Sequence, residues 1–154
     1  MSDLNSLAIE IRDLMAGAAR AYLGSQARRG TETFPFVSLV LPALDQAGRP
    51  LLLLSDLSDH ARNLQADPRA SLLYDGTFGL KEPLTGPRVT LIGTVLQADT
   101  AENRQLYLAH QPSAALYAGF GDFRLYCFEP AEALFVAGFG RIHRLGPDDL
   151  RPAV

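Results

Sequence analysis

A single cysteine, Cys127, is all the thiol this 154-residue chain possesses. An intramolecular disulfide is therefore impossible, and a thiolate-rich metal site is excluded. The histidines His60, His110 and His143 fall at no paired metal-ligand spacing such as HxxxH. No apolar run reaches the ~18 residues of a membrane span. The start, "MSDLNSLAIEIRDLM", has neither the basic n-region nor the apolar h-region of a secretory signal. No GxSxG occurs, and "GFGR" falls where a strand is expected, so it is no dinucleotide fingerprint. Lysine is almost missing: Lys81 stands alone among 14 basic residues, the rest being arginine. The net charge of −3 has the wrong sign for coating nucleic acid. These absences lead to the expectation of a soluble, cytoplasmic protein with no nucleic-acid and no membrane partner.

What is present is an ordinary globular mixture, 47% hydrophobic and 20% charged. The length suits one domain, 1–154, with residues 1–3 and 146–154 as loose tails. Leu4, Leu7, Ala8, Ile11, Leu14, Met15 and Ala18 recur at three- and four-residue spacing, which predicts a helix over about residues 4–21. Gly24 to Thr33 is polar and reads as a mobile loop or irregular strand pair. "FPFVSLVLPAL" is β-rich, with prolines near both ends, as at a sheet edge. "DQAG" reads as a hairpin turn, and "RPLLLLSD" as a strand buried on both faces. A short helix over 59–66, a strand over 69–78 and a long strand over 88–99 follow, with Gly93 marking a bulge. Thr100 or Asp99 caps the next helix, Pro112-Ser113 interrupts it, and "AALYAGF" forms a second short one. "DFRLYCFE" and "ALFVAGFGRIHRL" are two more strands, joined at "EPAEA". "AGFG" occurs twice, once at a helix end and once within a strand, with no repeat period. The order predicts a mainly β, α+β protein: about six antiparallel strands in a barrel, with an N-terminal helix and inserted short helices.

The polar cluster after the four leucines carries the most chemistry. A strand ends at Ser55-Asp56 and a helix starts near Ser58-Asp59-His60. Unpaired N–H groups of a first helical turn attract an anion, and Ser55, Ser58, His60 and Arg62 would add donors and charge. The same residues also suit a plain helix cap. Arg88, after Pro87 at a strand start, either reaches a phosphate or lies exposed on an edge. Tyr74, Tyr107, Tyr117, Tyr126 and Phe139 either stack on a planar ring or fill the core.

"PFVSLVLPALDQAGRPLLLLSDLSDHARNLQADPRASLL", with "PRVTLIGTV", "YLAHQPSAALYAGFGDFRLYCFEP" and "FVAGFGRIHRL", resembles the pyridoxamine 5'-phosphate oxidase-like, FMN-binding split barrel. Within that superfamily it is most similar to the haem-utilisation branch, which Asp122 in "GFGDF" matches. The resemblance implies a six-stranded antiparallel split barrel that forms a homodimer with cofactor clefts at the subunit interface. It implies a partner subunit outside the "PLLLL" strand. It implies FMN held by Val37, Ser38 and Leu39 under the ring, by Ser55 and Asp56 at the ribityl end, and by Ser58, His60 and Arg62 at the phosphate. Arg88 matches a position contributed by the second subunit. The function so implied is a small FMN-dependent oxidoreductase. The alternatives are a haem-binding protein with His60 or His143 as iron ligand, and a cofactor-free relative.

Overall fold

Leu7, Ala8, Ile11 and Met15 lie along one buried stripe of helix α1 (Leu4–Gly17) in the computed structural model, which describes residues 4–152. The helix stops at Gly17, short of the expected 21, because the chain needs Ala21–Arg29 for strand β1. The remaining strands are β2 (Glu32–Val40), β3 (Pro42–Leu44), β4 (Pro50–Ser55), β5 (Arg69–Asp75), β6 (Arg88–Gln97), β7 (Phe123–Gly138) and β8 (Arg141–Leu145). Helices α2 (Asp59–Ala66), α3 (Ala101–His110) and the single turn α4 (Pro147–Leu150) interrupt or end them.

All eight strands pair antiparallel in one sheet, in the order β2-β1-β5-β6-β7-β4-β3, with β8 beside β7. The sheet curls without closing, giving a split barrel of eight strands where six were expected. The segment read as a mobile loop or an irregular strand pair is a strand pair, the regular β1–β2 hairpin, its two-residue turn opened by Gly30 at φ +64°. Of its inward residues Ala21, Leu23, Ser25 and Ala27, only Leu23 is large and apolar, so the alternation that would announce a strand is weak. "DFRLYCFE" and "ALFVAG" are one continuous strand, β7, and not two. The second "AGFG" accordingly ends β7 and turns into β8, with Gly140 at φ +76°. After α3, "PSAAL" forms a 3-10 turn over Pro112–Leu116, shorter and earlier than the helix expected there.

The register of β6 against β7 slips between Ile92 and Gly93, which leaves Ala131 as the extra residue of a bulge on β7. Gly93 is required there: a Cβ at this position would run into the Glu129 carbonyl. The bulge bends β7, so its first half lies along β4 while its second half lies along β8.

β4 carries Leu51, Leu52, Leu53 and Leu54, all buried as its sequence requires. Leu52 and Leu54 face the main core with α1, Ala61 and Leu64 of α2, Tyr126 and Phe128. Leu51 and Leu53 face a second core made by Tyr107 of α3, Ala114, Ala118, Leu125 and Cys127. The outer cover of the wall is thus the chain's own α3 and 3-10 turn, a helix being one of the two covers, helix or partner subunit, that a strand apolar on both faces allows. Each such leucine contributes ~1.5–3 kcal/mol by leaving water. The C-terminal segment from Gly146 was expected to be loose, but α4 packs on α1. Leu150 enters the core, and Arg12 of α1 donates to the carbonyls of Leu150 and Arg151. The expected tail residues 1–3 and 153–154 lie outside the described residues.

Candidate functional site

The two free edges of the sheet, β2 and β3, are neighbours in sequence, joined through Leu41. Where they part, a cleft of ≈ 400 Å³ opens between the ends of β2 and β4. Leu39, Val40 and Leu41 form one lip, and Leu53, Leu54 and Ser55 the other. Ser58 and His60 at the start of α2 close one end, and Tyr107, Tyr117 and Phe123 close another. Tyr117 and Phe123 pack ring on ring, with centroids 4.9 Å apart. The Tyr107 hydroxyl is not free: it donates to the Leu41 carbonyl at 2.7 Å, and burial raises its pKa.

Helix α2 starts in this cleft for local reasons. Ser58 is its N-cap, accepting the Ala61 N–H at 3.3 Å while its own hydroxyl donates to the Ser55 carbonyl at 2.6 Å. The Ser55 hydroxyl donates to the Asp122 carboxylate at 2.6 Å and accepts the Leu57 N–H at 3.1 Å. The Asp56 carboxylate pairs with Arg124 at 2.7 Å and also accepts from Tyr126 and Gln65. The hydroxyls of Ser55 and Ser58, which could hold a phosphate, are therefore already given away within the chain, and Asp56, Asp59 and Asp122 add negative charge around the corner. The plain cap, one of the two readings of this cluster, is the one its hydrogen bonds satisfy.

His60 is the one titratable group of the cleft with an unspent ring nitrogen. Its Nδ1 lies 2.9 Å from the Ser38 hydroxyl, and its Nε2 has no hydrogen-bond partner among the described residues. Burial lowers its pKa, against the smaller raising effect of Asp59, so the ring is held neutral.

The structure gathers Leu39, Ser55, Ser58 and His60 in the cleft lining, with Ser38 directly behind His60. Val37, Asp56 and Arg62 lie outside that lining: Val37 is 71% exposed on the outer sheet face, Asp56 is engaged by Arg124, and Arg62 is exposed. Arg88 and His143 sit at the far end of β7 from Ser55, since Ser55 pairs with Phe123 while Arg88 pairs with Val136 and His143 with Phe135. Arg88 donates there to the carbonyls of Leu84 and Gly86. The Nε2 of His143 is sealed in the interior without a partner among the described residues, and no described cleft reaches it. Of the aromatic residues singled out, Tyr107 and Tyr117 line the cleft, Tyr74 and Tyr126 belong to the core, and Phe139 is exposed on the β7–β8 turn. Phe123, Leu41 and the leucines of β4 are lining residues the sequence did not mark. Asp122 holds Ser55, and only its "GFGDF" context pointed to it. No group of three His, Cys, Asp or Glu among the described residues could hold a metal ion, and no described helix is long and apolar enough to cross a membrane.

The family model for the CREG β-barrel matches residues 5–150 of the chain. The chloroplastic heme oxygenase HOZ of Arabidopsis thaliana is 36% identical over 132 residues, 84% of this chain and 40% of that protein. The heme oxygenase HutZ of Vibrio cholerae is 27% identical over 140 residues, 73% of this chain and 76% of that protein. Among solved structures, a heme binding protein from Mycobacterium smegmatis superposes with a TM-score of 0.84 at 29% identity, covering 93% of this chain and 59% of that one. The chain thus spans well under half of the plant relative's length.

Proposed function

The chain belongs to the CREG β-barrel family, and from that premise we propose that it is a haem-binding protein, in which His60 in the cleft at the barrel's split would ligate the iron. The observation that carries this reading is the imidazole itself: half-buried, neutral, with Nδ1 engaged by Ser38 and Nε2 left over. A neutral imidazole nitrogen is the form that ligates iron. The surroundings fit a macrocycle. The cleft of ≈ 400 Å³ is of ligand size, and Leu39, Leu41, Leu53, Tyr117 and Phe123 give it apolar walls. The names of HOZ, HutZ and the mycobacterial protein support the same ligand. Two of those names extend the proposal to haem breakdown, for which bound haem would supply a redox-active iron. The chain's own part is to hold the ring edge, orient it through His60 and keep water off its apolar face.

FMN is the second reading, because the split-barrel resemblance carries it. Against it stands the phosphate corner, where the hydroxyls of Ser55 and Ser58 donate within the chain and three aspartates surround them. We further propose a homodimer. Val37 is 71%, Leu39 56% and Ile92 50% exposed on the outer face of β2-β1-β5-β6, an apolar surface suited to a second copy. Leu39 belongs both to that face and to the cleft, so a second copy on this face would wall the cleft. Arg88 is the residue the resemblance assigns to the neighbouring site.

Titration of the purified protein with hemin, followed by absorbance, tests the reading. A saturable Soret shift that His60→Ala weakens at least ~10-fold is expected. Absence of any shift in the wild-type protein refutes it, and a yellow protein with a two-band flavin spectrum would favour FMN instead.

A further inference from the structure

Three serines on three strands grip the start of α2. Ser25 of β1 accepts from Asn63 in a buried bond of 3.1 Å, Ser55 of β4 accepts from Ser58 through its carbonyl, and Ser38 of β2 meets His60 at 2.9 Å. The first two fix the helix, together with Ala61 and Leu64 in the core. With the helix fixed, the third acts on the orientation and protonation of one ring.

We propose that Ser38 is a positioning residue for His60: its hydroxyl oxygen accepts the Nδ1–H, and the lone pair of Nε2 is thereby left facing the cleft. The 2.9 Å contact alone allows two arrangements. With the ring proton on Nε2, Ser38 would donate to Nδ1, and the ring would present an N–H donor to the cleft, which cannot ligate a metal. With the proton on Nδ1, the ring's only donor is satisfied, and what remains is an acceptor, the group a metal needs. The placement of Ser38 supports this role. It pairs with Leu23 on the inward face of β2, next to the edge where the barrel is split, and so holds the ring from the lip opposite β4. The tautomer and the use of the lone pair rest on the haem reading; the contact between Ser38 and His60 does not.

Two measurements test the inference separately. Long-range 1H–15N correlation of the haem-free, 15N-histidine-labelled protein reads the tautomer directly. Expected are a protonated Nδ1 at His60 in the wild type, its loss in Ser38→Ala, and its return in Ser38→Thr, which keeps the hydroxyl. A wild-type ring protonated on Nε2 overturns the proposal, as does an unchanged tautomer in a folded Ser38→Ala protein. Hemin titration then reads the consequence: Ser38→Ala should weaken binding about 10–100-fold, and Ser38→Thr should restore it. Equal affinity of wild type and Ser38→Ala would overturn the positioning role. A wild type that binds no hemin, yet shows the Nδ1–H tautomer lost in Ser38→Ala, would sink the haem reading and leave the hydrogen bond assigned here intact.

Discussion

Gly93→Ala puts the bent strand to a test whose sign is unusual. Replacing a strand glycine by alanine ordinarily gains about 0.5–1 kcal/mol, because glycine loses more backbone freedom on folding. At Gly93 the new methyl would point at the carbonyl oxygen and carbon of Glu129, with the edge of the Phe128 ring beside them. Two of those neighbours are backbone atoms in the ladder between β6 and β7, so no side-chain rotation relieves the contact. Overpacking of this kind costs about 1–3 kcal/mol, and the rigid opposing atoms argue for the upper half of that range. At about 2–4 °C per kcal/mol for a chain of this size, the melting temperature should fall by roughly 4–12 °C. Gly121→Ala is the matched control: nothing lies within 4 Å of its added Cβ, and its stability should change by no more than about 0.5 kcal/mol. Calorimetry or circular-dichroism melts of the three proteins decide. If Gly93→Ala melts within about 2 °C of wild type, the bulge yields freely, and the argument that Gly93 fixes the bend of β7 is wrong.

Gln111→Leu should lower stability by about 1–3 kcal/mol in urea unfolding, because the buried amide donates to the carbonyls of Ala19 and Pro42 at 3.1 and 3.0 Å and the variant leaves both without it. Burial pushes the Cys127 thiol up to about 12, so iodoacetamide at a pH of about 8 should label it only as fast as the protein opens, and labelling at the rate of a free thiol would refute that burial. Burial holds His60 below its ordinary 6.5, so as pH falls through 6.5 the unfolded chain takes up a proton that the folded chain refuses. Urea midpoints should therefore decline across that window in the wild type and decline less in His60→Gln.

The parts of the fold legible in the sequence were those whose burial imposes a pattern. Leu51–Leu54 announced a wall covered on both sides, and α1 its apolar stripe. Gly93 announced the bulge because only a missing Cβ fits there. β1 was not legible, because the strand lies under α2 and the contact asks for small and hydrogen-bonding residues such as Ser25 instead of large apolar ones. The cover on β4 stayed open between a helix and a partner for a related reason: apolar residues on a second face say that something packs there, but not that it is Tyr107 and Ala114 of the same chain. At the site, "SDLSDH" marked the right corner. The role of each serine depended on which group lay opposite, and Asp122 and Ser25 are brought there only by strand order.

The split also has mechanical consequences. The sheet edges β2 and β3 that flank it are successive parts of one chain segment, bent at Leu41-Pro42. The carbonyls of those two residues are held from outside by the Tyr107 hydroxyl and the Gln111 amide, both on the α3 side. α3 therefore braces the bend and would limit how far the mouth can gape. Variation at the far end of α3 would thus tune how large a ring the mouth admits, while leaving every lining residue in place.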